Sequence, residues 1–154
     1  MKKPMKQLII NDLIWDDKDV NFKSKSLLDW ELFNWEAAIA SPKEDGWRLP
    51  TIDELKALAA LGSTWDSGNP GRWFGPDSEL LSESKESIFL RAHGYKDPDD
   101  GVLYNAGYNG YYWSSTPYTG SFAYALNFYG GGATPAFIYD RRYGFSVRLV
   151  RDIP

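Results

Sequence analysis

Hydrophobic positions in the first half of the chain predict one strand and two helices. The segment Leu8–Trp15 is predicted to be a strand. In the segment Leu28–Ala40, apolar residues recur at spacings of three, four and seven, as on an amphipathic helix. A second helix starts with a capping box at Thr51 and Glu54 and ends at Gly62. After it, residues 63–86 lose this periodicity and are predicted to form a polar loop.

The second half changes to short stretches rich in Tyr, Phe, Gly and Ser, which predict strands joined by turns. In the last of them, Phe145, Val147 and Leu149 alternate with Ser146 and Arg148, as in a half-buried antiparallel strand. The predicted strands are residues 87–91, 102–106, 111–115, 122–129, 136–139 and 145–151. Two helices followed by short strands predict an α+β fold class, and residues 1–154 are predicted to form a single domain.

The composition of the chain excludes several classes of function and points directly to none. The net charge is −4, so the broad basic face that binds nucleic acid is not expected. There are no cysteines, which removes disulfides, thiolate metal sites and cysteine nucleophiles together. Residues 1–10 carry only a three-residue apolar run, so no signal peptide is predicted, and no stretch is long enough to predict membrane insertion. The site of action stays open, with attachment to a virion or cell surface expected through a partner.

Three motifs carry a family resemblance. They are GWRLPT at 46–51, which opens a helix, GYYWSST at 110–116, and YGFSVRLV at 143–150, with FLRAHGY at 89–95 between them. In this order they resemble the Fibrobacter major paralogous domain, a C-type-lectin-like group. The resemblance spans nearly the whole chain and implies a C-type-lectin-like fold with two helices and short, twisted antiparallel strands.

A narrower resemblance concerns the region between the second and third motifs. Some members of this group resemble the variable proteins of diversity-generating retroelements, in which an error-prone reverse transcriptase randomises adenines in Asn-rich cassettes. The candidate variable region here is 118–142, and it lacks Lys, Glu, Gln, Met and Trp, the residues that mutated Asn codons cannot encode. The alternative is that strands and turns rich in Gly, Tyr and Ser avoid Lys and Glu anyway.

The alternation within this region separates fixed from variable positions. Tyr124, Leu126 and Phe128 are predicted to face the core, while Ala125, Asn127 and Tyr129 face solvent. We call the candidate ligand-binding, variable positions the slot residues. They are Tyr118, Thr119, Gly120, Ser121, Phe122, Ala125, Asn127, Tyr129, Gly130, Gly131, Ala136, Phe137, Ile138, Tyr139, Asp140 and Arg142.

The large slot residues are expected to form one exposed aromatic patch. Tyr offers contact area at modest entropic cost, and small Gly and Ser neighbours let a partner approach closely. The alternative is that some of these side chains, Phe137 and Ile138 above all, pack inside the domain. The patch residues are Tyr118, Phe122, Tyr129, Phe137, Ile138 and Tyr139.

Enzyme chemistry is not predicted. The lectin-like fold also carries formylglycine-generating enzymes, but these depend on cysteine. The acidic run Asp97–Asp100 has oxygen ligands for Ca²⁺, although such a run is more often a solvated turn, so no metal site and no cofactor are predicted. His93, the only histidine, is expected to be structural or exposed. Arg141 and Arg142 are candidates to contact an acidic partner, with pairing inside the fold as the alternative for Arg141, and residues 130–132 are expected to form a turn.

The sequence therefore favours a ligand-binding or display protein whose C-terminal surface is diversified for receptor or protein recognition. A protein is the expected partner, and a glycan held by aromatic stacking is the alternative. The competing function is a structural or adhesin-like domain of the same fold, on a bacterial envelope or a phage, without programmed variation. The sequence leaves open the ligand, the oligomeric state and the host.

Overall fold

The computed structural model describes residues 8–21, 31–83 and 86–154. Within these ranges it contains short strands, two α-helices and one turn of 3-10 helix at Ser78–Leu80. The helices are α1 (Trp35–Ile39) and α2 (Ile52–Ala60). The strands are β1 (Leu8–Ile10), β2 (Leu13–Trp15), β3 (Trp47–Arg48), β4 (Ser63–Asp66), β5 (Gly71–Phe74), β6 (Ile88–Arg91), β7 (Tyr95–Lys96), β8 (Leu103–Tyr104), β9 (Asn109–Pro117), β10 (Phe122–Tyr129), β11 (Gly132–Asp140) and β12 (Val150–Asp152).

The two ends of the described chain meet in one antiparallel sheet of order β1-β2-β12-β3. Val150 of β12 lies opposite Trp15 on one side and opposite Arg48 on the other. The Arg48 guanidinium donates to Glu54 at 2.6 and 2.8 Å and to Asp152 at 2.9 Å. This sheet therefore anchors the start of α2 as well as both ends of the domain.

The central sheet has the order β11-β10-β9, with β10 in the middle. Both of its ladders are antiparallel and each contains a register shift, near Ala125 on one side and near Ala123 on the other. A third antiparallel sheet has the order β4-β5-β6, and β7 pairs with β8 beside it in the chain. The central sheet is the longest and carries most of the slot residues.

Both faces of the central sheet are covered by hydrophobic core. One cluster packs α2, β5, β6 and the terminal sheet against Tyr112, Leu126 and Phe128. The other packs against the opposite face at Trp113 and Ala125 and includes Ala38, Phe145 and Val147. The sheet is thus a layer between two cores.

Helix α2 begins as the sequence predicts. The Thr51 hydroxyl accepts from the Glu54 amide at 3.2 Å, and the Glu54 carboxylate accepts from the Thr51 amide at 2.8 Å. The next free amide, that of Ile52, donates to the Thr116 hydroxyl of β9 at 2.9 Å. The capping box is confirmed, and it also fixes the helix to the end of the central sheet.

The predicted α+β fold class is wrong, because strand residues far outnumber helical ones in the described chain and its two helices have only five and nine residues. The helix expected over Leu28–Ala40 starts at Trp35, where Asn34 caps it, and residues 28–30 lie outside the described ranges. The loop expected over residues 63–86 instead contains β4, β5 and the 3-10 turn. The fold is β-rich, built from four small antiparallel sheets in the described residues.

Two features explain why a hairpin forms where a loop was predicted. The β4–β5 hairpin is specified by Asp66, whose carboxylate accepts from the Gly68 and Asn69 amides, and by Gly71, where a Cβ would lie 2.4 Å from the Phe89 ring. Neither signal is a hydrophobic alternation. The segment 145–151 is not a half-buried strand either, since Ser146 is 0% exposed and regular pairing starts only at β12.

Candidate functional site

The slot residues lie at both ends of the central sheet. The turn at 118–122 closes on itself through the bond from the Tyr118 amide to the Phe122 carbonyl at 3.0 Å, and Phe122 lies opposite Asp140 of β11. Tyr129 is at the other end of β10, seven residues away, which is roughly 23 Å along a strand. The large slot residues therefore do not form one patch, because Tyr129 is separated from Phe122 by the length of β10.

Most of the expected aromatic patch is exposed. Tyr118, Phe122, Tyr129, Phe137 and Ile138 are all exposed, by 36–51% of their surface, and Tyr139 is half-buried. The exposure predicted for these five residues is confirmed. The alternative that Phe137 and Ile138 pack inside is wrong, since both side chains are exposed on β11, an edge strand of the central sheet.

The prediction that Ala125 faces solvent is wrong. Ala125 is 0% exposed and lies opposite Trp113 of β9, inside the second core cluster. Its prediction rested on the expectation that only one face of β10 is buried. The two faces of β10 do alternate as expected, but both are packed, so Ala125 belongs to the fixed interior. Asn127, two residues along on the same face, is half-buried.

An open cavity of about 430 Å³, here called the aromatic cavity, lies at the Phe122 end of the sheet. Five packed rings contribute to it, those of Tyr95, Tyr111, Tyr139, Tyr143 and Phe145. Phe145 is 1% exposed and contacts Tyr139 and Tyr111 at centroid distances of 4.9 and 5.0 Å. The other lining residues are Pro98, Asp99, Phe122, Ile138, Asp140 and Arg142.

Charges are concentrated at the mouth of the aromatic cavity. The Arg142 guanidinium lies 3.0 Å from the Asp140 carboxylate and 3.7 Å from that of Asp99. The bond from Arg142 lowers the pKa of Asp140 and raises that of Arg142 itself. Partial burial, followed by the nearby carboxylates of Asp97, Asp140 and Asp99, raises the pKa of Tyr143. The mouth therefore combines several carboxylates with an arginine that is largely exposed.

The acidic run Asp97–Asp100 forms a turn beside this mouth. The Asp97 carboxylate accepts from the Asp99 amide at 2.8 Å, and the Asp100 carboxylate accepts from the Val102 amide at 2.8 Å and from the Tyr104 hydroxyl at 2.5 Å. Among the described residues, no group of three or more acidic or histidine side chains is arranged to hold a metal ion. These bonds give the run the geometry of a solvated turn.

Arg141 pairs inside the fold. Its guanidinium donates to the Phe122 carbonyl at 2.9 Å and to the Tyr118 carbonyl at 3.1 Å, and it lies 4.4 Å from the ring centre of Trp35. The Ser121 carbonyl accepts from the Arg141 amide at 2.8 Å. Arg141 therefore holds the turn at 118–122 against β11 and α1, so this residue belongs to the support of the site.

A buried polar network was not predicted from the sequence. The Asp19 carboxylate accepts from Arg148 at 2.8 Å and from the Tyr112 hydroxyl at 2.6 Å, and lies 3.3 Å from His93 Nε2. Arg148 also donates to the backbone carbonyls of Asp16 and Phe89. All four side chains are buried, and His93 takes the structural role that was one of its two expected outcomes.

Comparison with known proteins adds one finding. The family model of the Lcl C-terminal domain matches residues 10–151. The match confirms the sequence resemblance at the level of a lectin-like domain and leaves the narrower resemblance to a retroelement variable protein as a prediction. No curated protein and no solved structure matches the chain.

Proposed function

This chain belongs to the Lcl C-terminal domain family, and from that premise we propose that it is a retroelement variable protein that recognises a protein partner. At family level it is a lectin-like domain of the ligand-binding or adhesin-like kind. The recognition surface in this proposal is the Phe122 end of the central sheet. It comprises the turn at 118–122, residues 136–140 of β11 and the aromatic cavity. Tyr129 and the neighbouring turn form a separate, smaller part of the variable surface.

The observation that carries the proposal is that exposed positions at the ends of β10 and on β11 lie next to a buried interior within one segment. On β10, Ala123, Ala125 and Leu126 are 0% exposed, whereas Phe122 is 43% exposed. On the neighbouring β11, Phe137 is 48% exposed. Exposed positions of this kind tolerate most substitutions within about 0.5 kcal/mol, so a mutable surface sits on an interior that stays constant.

The chemistry of the surface favours binding a protein over turnover of a small substrate. Exposed aromatic side chains are typical anchors of protein interfaces. In the aromatic cavity, the carboxylate of Asp140 is bonded to Arg142. The net charge of −4 and the acidic mouth disfavour a nucleic-acid partner. Within the described ranges, no helix is both long enough and apolar enough to cross a membrane.

Sequencing the DNA around the gene tests the proposal directly. We expect a reverse-transcriptase gene and a near-identical repeat of the codons for residues 118–142, differing from the gene at template adenines. The differences should fall in exposed slots such as Phe122, Phe137 and Ile138 and should spare Leu126 and Phe128. If no repeat exists, or if differences are as frequent in the buried codons, the variable-protein function is wrong. An adhesin-like domain without programmed variation would then be the better description.

A further inference from the structure

We propose that the aromatic cavity accepts a cationic side chain, lysine or arginine, that projects from the protein partner. This inference rests on the proposed function, because it assumes that the Phe122 end of the sheet is the recognition surface. It adds the chemical class of the group that the surface binds.

The shape and lining of the cavity fit a long side chain. Its volume of about 430 Å³ is within the range of small-ligand sites, and it is open to solvent. Tyr95 contacts Tyr111 and Tyr143 at centroid distances of 5.3 and 5.6 Å, and Tyr111 contacts Tyr139 at 5.7 Å. Several of these contacts are edge-to-face or tilted, so the rings face different directions around one space. Aromatic faces attract alkylammonium and guanidinium groups and also pack against their methylene stems.

The charge at the mouth selects the sign of the ligand. Asp99 and Asp140 line the cavity, and Asp97 lies close enough to act on the Tyr143 hydroxyl. The positive charges near these three carboxylates are those of Arg142 and of Lys96, which is exposed on β7. A cation entering the cavity therefore meets a surplus of negative charge and electron-rich rings, whereas an anion meets repulsion.

In the absence of a partner, the Arg142 guanidinium contacts the carboxylates at the mouth of the cavity. Its side chain is 65% exposed and reaches both carboxylates of the mouth, where its own charge occupies the position that a partner cation would take. Bonds this exposed are weak and are exchanged readily. A partner's cation can therefore replace Arg142 at Asp140 while Arg142 turns into solvent.

The cavity also divides into fixed and variable parts. Four of the lining residues lie outside the candidate variable region: Tyr95, Tyr111, Tyr143 and Phe145. Five others are slot residues: Phe122, Ile138, Tyr139, Asp140 and Arg142. The aromatic floor would then be common to all sequence variants, and the rim would differ among them. A shared floor that binds one side-chain class, with a variable rim that selects its surroundings, fits a family of partners with different sequences.

The test is a titration of the ¹⁵N-labelled full chain, followed by two-dimensional NMR. The probes are the Nα-acetyl methylamides of lysine, arginine, norleucine and glutamate. We expect the lysine or arginine probe to shift the amides of Tyr95, Tyr139 and Tyr143 with a millimolar dissociation constant. The norleucine probe, which has a similar stem without charge, should bind about tenfold more weakly, and the glutamate probe should bind least.

Three variants sharpen the test. Asp140→Asn should weaken binding of the cationic probe by about tenfold, because a charge-assisted contact is lost. Asp53→Asn removes an equal charge from an exposed position on α2, outside the cavity lining, and should leave binding unchanged. Arg142→Gln removes the internal cation and should strengthen binding. A dispersed spectrum for each variant confirms that it is folded.

The inference is overturned if no probe shifts the cavity residues, if norleucine binds as well as lysine, or if glutamate binds best. The last result would identify Arg142 as the anchor for an acidic partner. These outcomes leave the proposed function untouched, because that proposal is decided by the template repeat. Conversely, a missing repeat would leave the measured preference of the cavity in place.

Discussion

Asp19 and Arg148 form an ion pair in the interior, and both are almost completely buried, so their charges need partners other than water. Their side chains are 3% and 6% exposed. Water is replaced there by the hydroxyl of Tyr112, by His93 and by two backbone carbonyls. Since these groups come from the first, middle and last parts of the described chain, the pair holds distant segments in one arrangement.

Replacing Asp19 by Asn should be strongly destabilising, because it removes the carboxylate that forms the ion pair with the buried Arg148 guanidinium. We expect a loss of about 3–5 kcal/mol in the free energy of unfolding, measured by urea denaturation. Asp45→Asn, at an exposed position in a loop, is the control and should cost no more than about 0.5 kcal/mol. A cost below about 1 kcal/mol for Asp19→Asn would contradict this account of the network.

The same carboxylate should make stability depend on acid pH. Burial by itself raises the pKa of Asp19, but Arg148, His93 and Tyr112 together outweigh it and lower the pKa. A group with a lowered folded pKa stabilises fully above its unfolded pKa, about 3.9 for Asp, and loses that contribution as pH falls through the folded value. We expect the unfolding free energy at pH 3 to fall further below its pH 7 value in the wild type than in Asp19→Asn.

Carboxylates outside this network titrate in both proteins and cancel in this comparison, whereas Asp16, whose pKa is raised chiefly by burial, also interacts with Arg148. Equal losses in the two proteins would argue against a role for Asp19. The sequence could not have revealed this network, because Asp19 stands in a run of acidic residues and Arg148 alternates with Val147 and Leu149 like a solvent-facing residue. Arg148 is held inside by Asp19 and by the backbone carbonyls of Asp16 and Phe89, all of which are far from it in the sequence.

At the scale of elements, β10 determines which positions are free to vary. Its pleat places Tyr124, Leu126 and Phe128 on one face and Ala123, Ala125 and Asn127 on the other. A core cluster covers each face, and the side chains in the exposed class are at the two ends of the strand, while Tyr124 and Asn127 between them are half-buried. The variable surface is therefore made by strand ends and by β11, which is an edge strand.

Ala125→Leu tests this arrangement. The added atoms would enter a packed interior opposite Trp113, and overpacking of this kind costs about 1–3 kcal/mol. Tyr129→Leu introduces the same residue on the same face of the same strand, where the side chain is 51% exposed, and should change stability by no more than about 0.5 kcal/mol. Thermal and urea unfolding of the two variants measure the difference. Equal stabilities would show that Ala125 has room and can serve as a slot.

Elements with local signals were the ones that the sequence could predict. The capping box at Thr51 and the long strands β9 and β10 have such signals, and all three are present. The β4–β5 hairpin has an Asx turn, which is local but is not a hydrophobic alternation, and a glycine under the Phe89 ring, which is explained only by packing against β6. The burial of Ala125 depends likewise on the second core cluster. In both cases tertiary packing overrides the local pattern.

At the scale of the whole molecule, the exposed slots and the interior should differ in how much change they tolerate together. The turn at 118–122 is held through backbone carbonyls that accept from Arg141, so its geometry does not depend on the identity of the slot side chains. The pairing of β10 with β11 is likewise made by backbone groups. Several slots can therefore change at once without removing the contacts that position the surface.

A triple variant, Phe122→Thr with Tyr129→Thr and Phe137→Thr, is the strongest test of this separation. All three side chains are at least 43% exposed, and Thr suits strands, so each change should cost no more than about 0.5 kcal/mol. Leu126→Thr, 0% exposed on the same strand, should cost about 2–5 kcal/mol through the lost burial and the cavity that remains. Urea unfolding should therefore rank the single interior change as more damaging than the three surface changes combined. The reverse ranking would mean that the exposed rings hold the sheet together, and a surface that stabilises its own scaffold in this way could not be randomised by a retroelement.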